Sequence, residues 1–322
     1  MISTYKKETK RRKARKQAEK KQGKALPAVL IIAIAVFILL KTNSTSSNSI
    51  FSPPDRKAAA SCDNIQTNFE VDLNELAALI TDDMYTFTAC QSDIDELYKT
   101  AEEYPEYREN IHFFIEHIGA YSQAGITTIL MAPEKTDFIL LEPFSKDDGS
   151  AYEAEISVQK GEIPFLIQYD SRWAFHIYGS SSMGNTGCGP TCLSMAAIGL
   201  TGNTGYTPPY VSDYAMNSGY YVYGAGTAWS LFTDGAADFG LRGEVIPADE
   251  ETMRDRLKKG EVIIASMQEG DFTRGGHFIV IHGCGTDGFM VHDPSSIMRS
   301  GIVWSFDRLY PQIAQLWSLS RA

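Results

Sequence analysis

Two short stretches of this chain hold the parts needed to break an acyl bond. The first is Gly187-Cys188-Gly189-Pro190-Thr191; the second is Gly276-His277-Phe278-Ile279-Val280-Ile281-His282-Gly283, followed by Val291-His292-Asp293-Pro294. A thiol, an imidazole and a carboxylate are the nucleophile, base and orienting acid of thiol-dependent hydrolysis. The thiolate is the reactive form, and free cysteine is mostly protonated at neutral pH. The start of a helix favours the ionised sulfur through its unpaired N–H groups and its macrodipole. Pro190 suits a first helical turn, Leu193, Ala196, Ala197 and Leu200 follow at helical spacing, and Gly202 supplies a stop. The spacing therefore predicts a helix that carries Cys188 at its first turn. Cys192 lies one turn deeper, where the field has weakened, and reads as a small core residue. Gly187 and Gly189 leave room beside the sulfur for a substrate backbone. With Gly276 and Trp229 they are the candidates for lining a substrate groove; Trp229, Tyr220, Tyr221 and Tyr223 also read as core aromatics.

The base needs an element to hold it. His277 to His282 is rich in Ile, Val and Phe and reads as a strand; Gly283 to Gly288 has turn chemistry, and Phe289 to His292 reads as the returning strand. A hairpin centred on Gly285 sets His277 directly opposite Asp293, on one face of the ladder. The carboxylate then holds one ring nitrogen while the other faces the sulfur. The same alternation sends His282 and His292 to the opposite face and spreads His277, His282, Cys284 and His292 apart, so no metal site is expected. His112, His117 and His176 have no evident partners in the sequence.

The stretch from Ile163 to Trp317 resembles the C-39-like cysteine peptidase family, relatives of the bacteriocin-leader peptidases. The resemblance rests on IPFLIQYDSRW, YGSSSMGNTGCGPTCLSMAAIGLTGN, GYYVYGAGTAWSLF, GDFTRGGHFIVIHG, VHDPSS and QIAQLW, in that order. It implies a papain-like α+β fold and peptide-bond hydrolysis through an acyl-enzyme, without a cofactor. It also implies roles: Cys188 as nucleophile, His277 as general base and acid, Asp293 as the residue orienting His277, and Gln168 as part of the oxyanion hole beside the Cys188 N–H. Asp293-Pro294-Ser295-Ser296 is similar to the family's Asp-Pro-Asn-Ser with Ser in place of Asn. No Walker-type Gly-Lys-Ser/Thr loop occurs, so coupled peptide export is not expected.

The ends of the chain are bipolar. Residues 1–24 hold eleven Lys or Arg and two Glu, a net of +9; the whole chain carries −11, so residues 25–322 carry −20. The basic run precedes fifteen uncharged, mostly apolar residues, Leu26 to Leu40. A secretory signal and a membrane span are the competing readings; the long basic region and the lack of a small-x-small site after Leu40 favour an uncleaved signal anchor. The positive-inside rule keeps residues 1–24 cytoplasmic and exports the rest. The acidic remainder excludes nucleic acid as a partner. A peptide or protein substrate, and the membrane through the anchor, are the partners expected.

The expected organisation is a basic tail at 1–24, a transmembrane signal anchor at 25–41, a Ser/Thr/Asn-rich linker at 42–61, a helical subdomain at 62–150 and a papain-like peptidase domain at 161–322. In the helical part, Leu73, Leu76, Ala77, Ile80 and Met84 make one stripe, Ser92-x-x-Asp95 reads as a capping box, and Ile111, Phe114, Ile115 and Ile118 make a further stripe. This part is expected to pack on the enzyme, with a propeptide or lid as the sharper reading. Cys62 and Cys90 are candidates for a disulfide outside the cell. In the peptidase part, strands are expected at 161–168, 243–246, 261–267, 277–282, 289–292 and 301–306. Helices are expected after Asp249 and after Thr227, each acting as a cap. Two other functions fit the same residues: a cell-wall amidase using the same Cys–His chemistry, and a surface binding module that keeps the fold without turnover.

Overall fold

The computed structural model describes residues 64–149, 154–159 and 161–322. All of them belong to one compact unit. The basic tail, the apolar segment and the linker expected within 1–61 lie outside the described residues, and so does Cys62. Among the described residues, no helix is long and apolar enough to cross a membrane.

The described residues begin with five α-helices: α1 Leu73–Leu79, α2 Gln91–Glu103, α3 Arg108–Glu116, α4 Gln123–Met131 and α5 Thr136–Leu141. Asp72 caps α1 by accepting from the Asn74 and Glu75 amides at 2.9 and 3.2 Å. The capping box expected at Ser92 does not form. Helix α2 already starts at Gln91, the Gln91 side-chain Nε2 donates to Asp95 Oδ1 at 2.9 Å, and Ser92 Oγ lies 3.1 Å from Cys90 Sγ. Both side chains are thus engaged elsewhere. Helices α4 and α5 extend the helical layer beyond the stripes visible in the sequence. Ile126, Thr127, Thr128 and Ile129 are β-branched and present no polar face, so periodicity gives no helical signal there.

Two small ribbons and three helices follow. Ribbon β1 Ile177–Tyr178 pairs with β2 Ser181–Ser182. Then come α6 Met183–Thr186, α7 Cys188–Thr201 and α8 Pro208–Asn217. Ribbon β3 Tyr221–Val222 pairs with β4 Gly226–Thr227. The helix expected to open at Thr227 is instead a 3₁₀ turn, Trp229–Phe232, preceded by Ala228. The Thr227 hydroxyl sits 2.8 Å from the Tyr178 hydroxyl, which takes it away from capping.

The remainder is a sheet with helices between its strands: β5 Leu241–Ile246, α9 Glu250–Lys258, β6 Val262–Met267, β7 His277–Gly285 and β8 Gly288–His292. Short helix α10 Ile297–Ser300, β9 Val303–Trp304, helix α11 Phe306–Leu309 and β10 Ile313–Arg321 complete it. All pairings are antiparallel, in the order β5-β10-β6-β7-β8-β9. Asp249 does cap α9, accepting from Thr252 N at 2.9 Å. The extended run 161–168 stays outside the sheet, although Phe165 to Gln168 is buried.

The sheet is covered on both faces, and the period-2 alternation sorts its side chains. Val262, Ile264, Phe278, Val280, Trp317 and Leu319 face one core, together with α7 and the helical layer. Ile263, Ala265, Ile279, Ile281 and Leu316 face a second core with Met253 of α9 and Trp304. The first core contains Leu97, Ile111, Phe114, Ile126 and Phe138 from the helical layer as well as Leu193 and Ala196 from α7. Helix α7 is buried all round from Gly189 to Ile198, broader than the stripe its sequence suggests, because sheet and helices enclose it. Its end is a left-handed Gly202 at φ 78°.

Candidate active site

Cys188 is the first residue of α7, behind Gly187 as N-cap, and it is partly exposed. His277 is the first residue of β7, and Asp293 follows directly on β8, fully buried. Asp293 Oδ1 lies 2.7 Å from His277 Nε2. The Cys188 sulfur lies close enough to His277 for each group to shift the other's ionisation. The structure therefore brings Cys188, His277 and Asp293 into one chain of contacts.

The register that achieves this differs from the sequence expectation. Val280 pairs with His292 and Ile281 with Val291; a bulge at His282 then shifts the ladder, so that Gly283 pairs with Met290 and Gly285 with Gly288. The turn is therefore Thr286-Asp287, and β8 is displaced by two residues from a hairpin centred on Gly285. Asp293 keeps the parity of His277 but meets it along the diagonal rather than directly opposite. The same shift carries His282 onto His292. Their ring centroids lie 3.8 Å apart with the planes tilted by 31°, where the sequence had kept these histidines apart.

Asp293 is held from several sides. Its Oδ1 also accepts from the Ser295 amide at 2.7 Å, its Oδ2 accepts from Arg299 Nε at 2.6 Å, and its own N–H donates to Ser300 Oγ at 2.8 Å. Burial alone would raise this carboxyl, but Arg299 and His277 hold it far below the usual carboxylate range. Burial likewise opposes the charged imidazole; Asp293 and the Cys188 sulfur outweigh it and lift His277 to about 9. At Cys188, burial resists ionisation. The hydrogen bond and charge of His277, with the Phe278 and Gly189 amides, overcome it and lower the thiol from its ordinary value. The opposite holds one turn deeper, where burial and the Cys188 charge push Cys192 well up.

The sequence pattern of the Peptidase_C39 like family matches residues 160–319, and the site just described falls within that span. Residues 160–319 belong to that family. No curated protein and no solved structure matches it. The matched residues carry the whole sheet except its last two residues, all of α6 to α11, and the three contacting side chains. The helical layer of 64–149 precedes the match.

The remaining candidates of this peptidase-like domain fall unevenly around the sulfur. Gln168 is buried; its side-chain amide donates to the Gly184 carbonyl at 2.8 Å and its backbone N–H to the Pro294 carbonyl at 2.8 Å. It thus bridges short helix α6, just before Cys188, and the loop after Asp293. At Gly187 an added Cβ would lie 2.6 Å from the Met183 carbonyl oxygen, and at Gly189 it would lie 2.4 Å from Thr227 Oγ1. The protein itself fills the space that the sequence left for a substrate at these two glycines. Gly276, by contrast, opens onto free space. Trp229 is half exposed, edge-on to Trp317 at 5.4 Å, while Tyr223 is almost wholly exposed. Cys90 is exposed, and its suggested partner Cys62 lies outside the described residues.

Sequence reasoning overlooked the buried charges that come to this site from elsewhere. Glu134 Oε1 accepts from Ser296 Oγ at 2.6 Å, and Lys135 Nζ donates to the Gly184 carbonyl at 3.0 Å. Arg299 also donates to the Met131 carbonyl. Glu134 and Lys135 follow a proline and look like an exposed turn, so no local signal marks them. Partners also exist for the other histidines: Tyr85 OH lies 2.7 Å from His117 Nδ1, His112 meets Tyr98, and His176 lies 3.0 Å from both Asp147 and Asp213. The helical layer also packs directly beside the sulfur loop. A Cβ at Gly184 would sit 2.3 Å from the Phe138 ring, so Gly184→Ala is expected to destabilise the fold by about 1–3 kcal/mol through overpacking. A lower urea midpoint at unchanged m-value is the expected result.

Proposed function

We propose that this protein is a cysteine peptidase with a papain-type mechanism, in which Cys188 attacks the carbonyl carbon of a peptide bond. The observation that carries this reading is the contact chain from Cys188 through His277 to Asp293, with the thiol lowered and the imidazole raised. The sulfur forms a thioester as the C–N bond breaks, and His277 gives its proton to the departing amine. His277 then takes a proton from water, the water oxygen attacks the thioester, and the acid leaves with the thiol restored. Asp293 holds the ring through Nε2, so that Nδ1 faces the sulfur. The Cys188 N–H and the second amide hydrogen of Gln168 are the proposed donors to the oxyanion; the first is taken by Gly184. Gly276 and Trp229, open to solvent, are the proposed groove residues. The apolar segment within 25–41 anchors the chain in a membrane, and the catalytic part lies outside the cell.

The pH dependence follows from the paired charges. The active pair is thiolate and imidazolium, so activity rises as the lowered thiol ionises. It falls as pH increases through about 9, where His277 loses the proton that the leaving amine requires. A kcat profile without an alkaline limb near pH 9 would contradict that role for His277. Substrate class is tested by incubating the full chain with a peptide library and, in parallel, with peptidoglycan fragments, and reading the products by mass spectrometry. Cleavage of library peptides supports the peptidase reading. Cleavage of the cell-wall fragments alone would replace it with an amidase.

A further inference from the structure

Lys135 is an unusual residue to find beside a thiol site. It lies in the helical layer, outside the family-matched span, yet it is only 3% exposed. Its ammonium donates to two neutral acceptors, the Gly184 carbonyl at 3.0 Å and Ser295 Oγ at 3.2 Å, and lies over the Phe138 and Tyr169 rings at 5.7 and 5.3 Å. Lysine is rarely this buried unless its charge is used, and packing alone would be served as well by an apolar side chain. Its two acceptors are informative. Gly184 is the residue whose carbonyl also receives the Gln168 amide, and Ser295 is the residue whose N–H binds Asp293. One ammonium group therefore ties short helix α6, just before Cys188, to the loop after Asp293.

We propose that Lys135 is a positioning residue of the thiol site: it fixes Gln168 and the Asp293 loop through shared acceptors, and its positive charge favours the Cys188 thiolate. This rests on the cysteine-peptidase reading above. The charged groups around it are Asp293, Glu134 and the Cys188 sulfur, which favour its ammonium form, and Arg299, which opposes it. The Tyr169 and Phe138 rings complete the surroundings. Burial, with Arg299, outweighs the acidic partners and brings Lys135 down to about 8. Below that pH it is charged and supports the thiolate; above it the support fades. On this account the helical layer is a working part of the enzyme, because the matched span alone lacks the ammonium group.

The test is the pH profile of Cys188 alkylation by iodoacetamide in the full chain, with the modified cysteine located by mass spectrometry. Lys135→Met keeps the side-chain length and removes the charge. It is expected to slow Cys188 alkylation at pH 6 by about tenfold, as one unit in thiol pKa implies, and to converge with the wild type above pH about 9. A purely structural loss would slow the reaction equally at every pH. A Lys135→Met profile superposable on the wild type overturns the proposal, and so does a uniform slowing. If circular dichroism finds Lys135→Met unfolded, Ser295→Ala takes its place. Loss of one Nζ anchor is expected to slow alkylation about threefold at pH 6 and not above pH about 9, and an unmoved profile overturns the proposal. A wild-type Cys188 no faster than glutathione at pH 6 removes the peptidase reading itself. An activated wild type with unmoved variants removes only the role of Lys135.

Discussion

Replacing Cys188 by Ala is expected to reduce kcat on any cleaved peptide by roughly 10⁴-fold or more, to the level of background hydrolysis. The loss is large because every covalent step passes through the sulfur, while binding groups and oxyanion donors contribute only when there is a nucleophile to assist. The informative comparison is Cys192→Ala. That thiol is fully buried on the same helix, and its surroundings push its pKa well up rather than down. Its replacement removes one buried sulfur from a packed core, so a loss of about 1 kcal/mol or more in stability is expected with kcat nearly retained. Steady-state kinetics on both variants, with folding checked by thermal melts, separates the two cysteines. Equal loss of activity in two well-folded variants would mean that Cys188 is not the nucleophile.

The second large effect is expected at Arg299. Arg299→Met removes the guanidinium that meets Asp293 Oδ2 at 2.6 Å and also faces Glu134 and the Met131 carbonyl. Breaking a buried pair leaves its carboxylate without compensation, which costs about 3–5 kcal/mol. For a domain of this size that corresponds to a drop in Tm of roughly 6–20 °C. The pH dependence has a definite sign. Asp293 titrates below its unfolded value in the native state, so its contribution is present above about pH 3.9 and is lost as pH falls through the folded pKa. The deficit of Arg299→Met should therefore be full at neutral pH and shrink in acid, as the wild type loses the same interaction. Melts at several pH values check this; a deficit independent of pH would assign Arg299 to packing alone.

Much of the site was legible because its chemistry is local. The glycine–cysteine–glycine–proline run needs only helix-start rules to put a thiol at an N-terminus, and the Ile/Val/Phe run after His277 needs only strand propensity. What failed were features set by tertiary context. The diagonal meeting of His277 with Asp293 depends on a bulge at His282, and alternation cannot reveal one extra residue in a strand. Strand β10 lies between β5 and β6, and two-thirds of its sequence, Gln315 to Ser320, is buried or nearly so on both faces. A strand covered on both sides loses the alternation that marks a strand with one exposed face. Lys135 and Glu134 were invisible for a different reason. Their burial is created by Ser295, Ser296 and Arg299, which lie more than 150 residues away in the chain. Gly187 and Gly189 were expected to leave room for a substrate backbone, but Met183 and Thr227 occupy that space, and such long-range neighbours leave no local signal.

The ionisation of Cys188 by His277 is the claim on which the rest depends, and its most direct measurement is the second-order rate of Cys188 alkylation in the wild-type chain at pH 6, set against glutathione. A lowered thiol beside an imidazolium predicts that Cys188 reacts at least about tenfold faster at that pH, and that His277→Ala abolishes the advantage. Equal rates for the protein thiol and glutathione, or an advantage that survives the loss of His277, would contradict it.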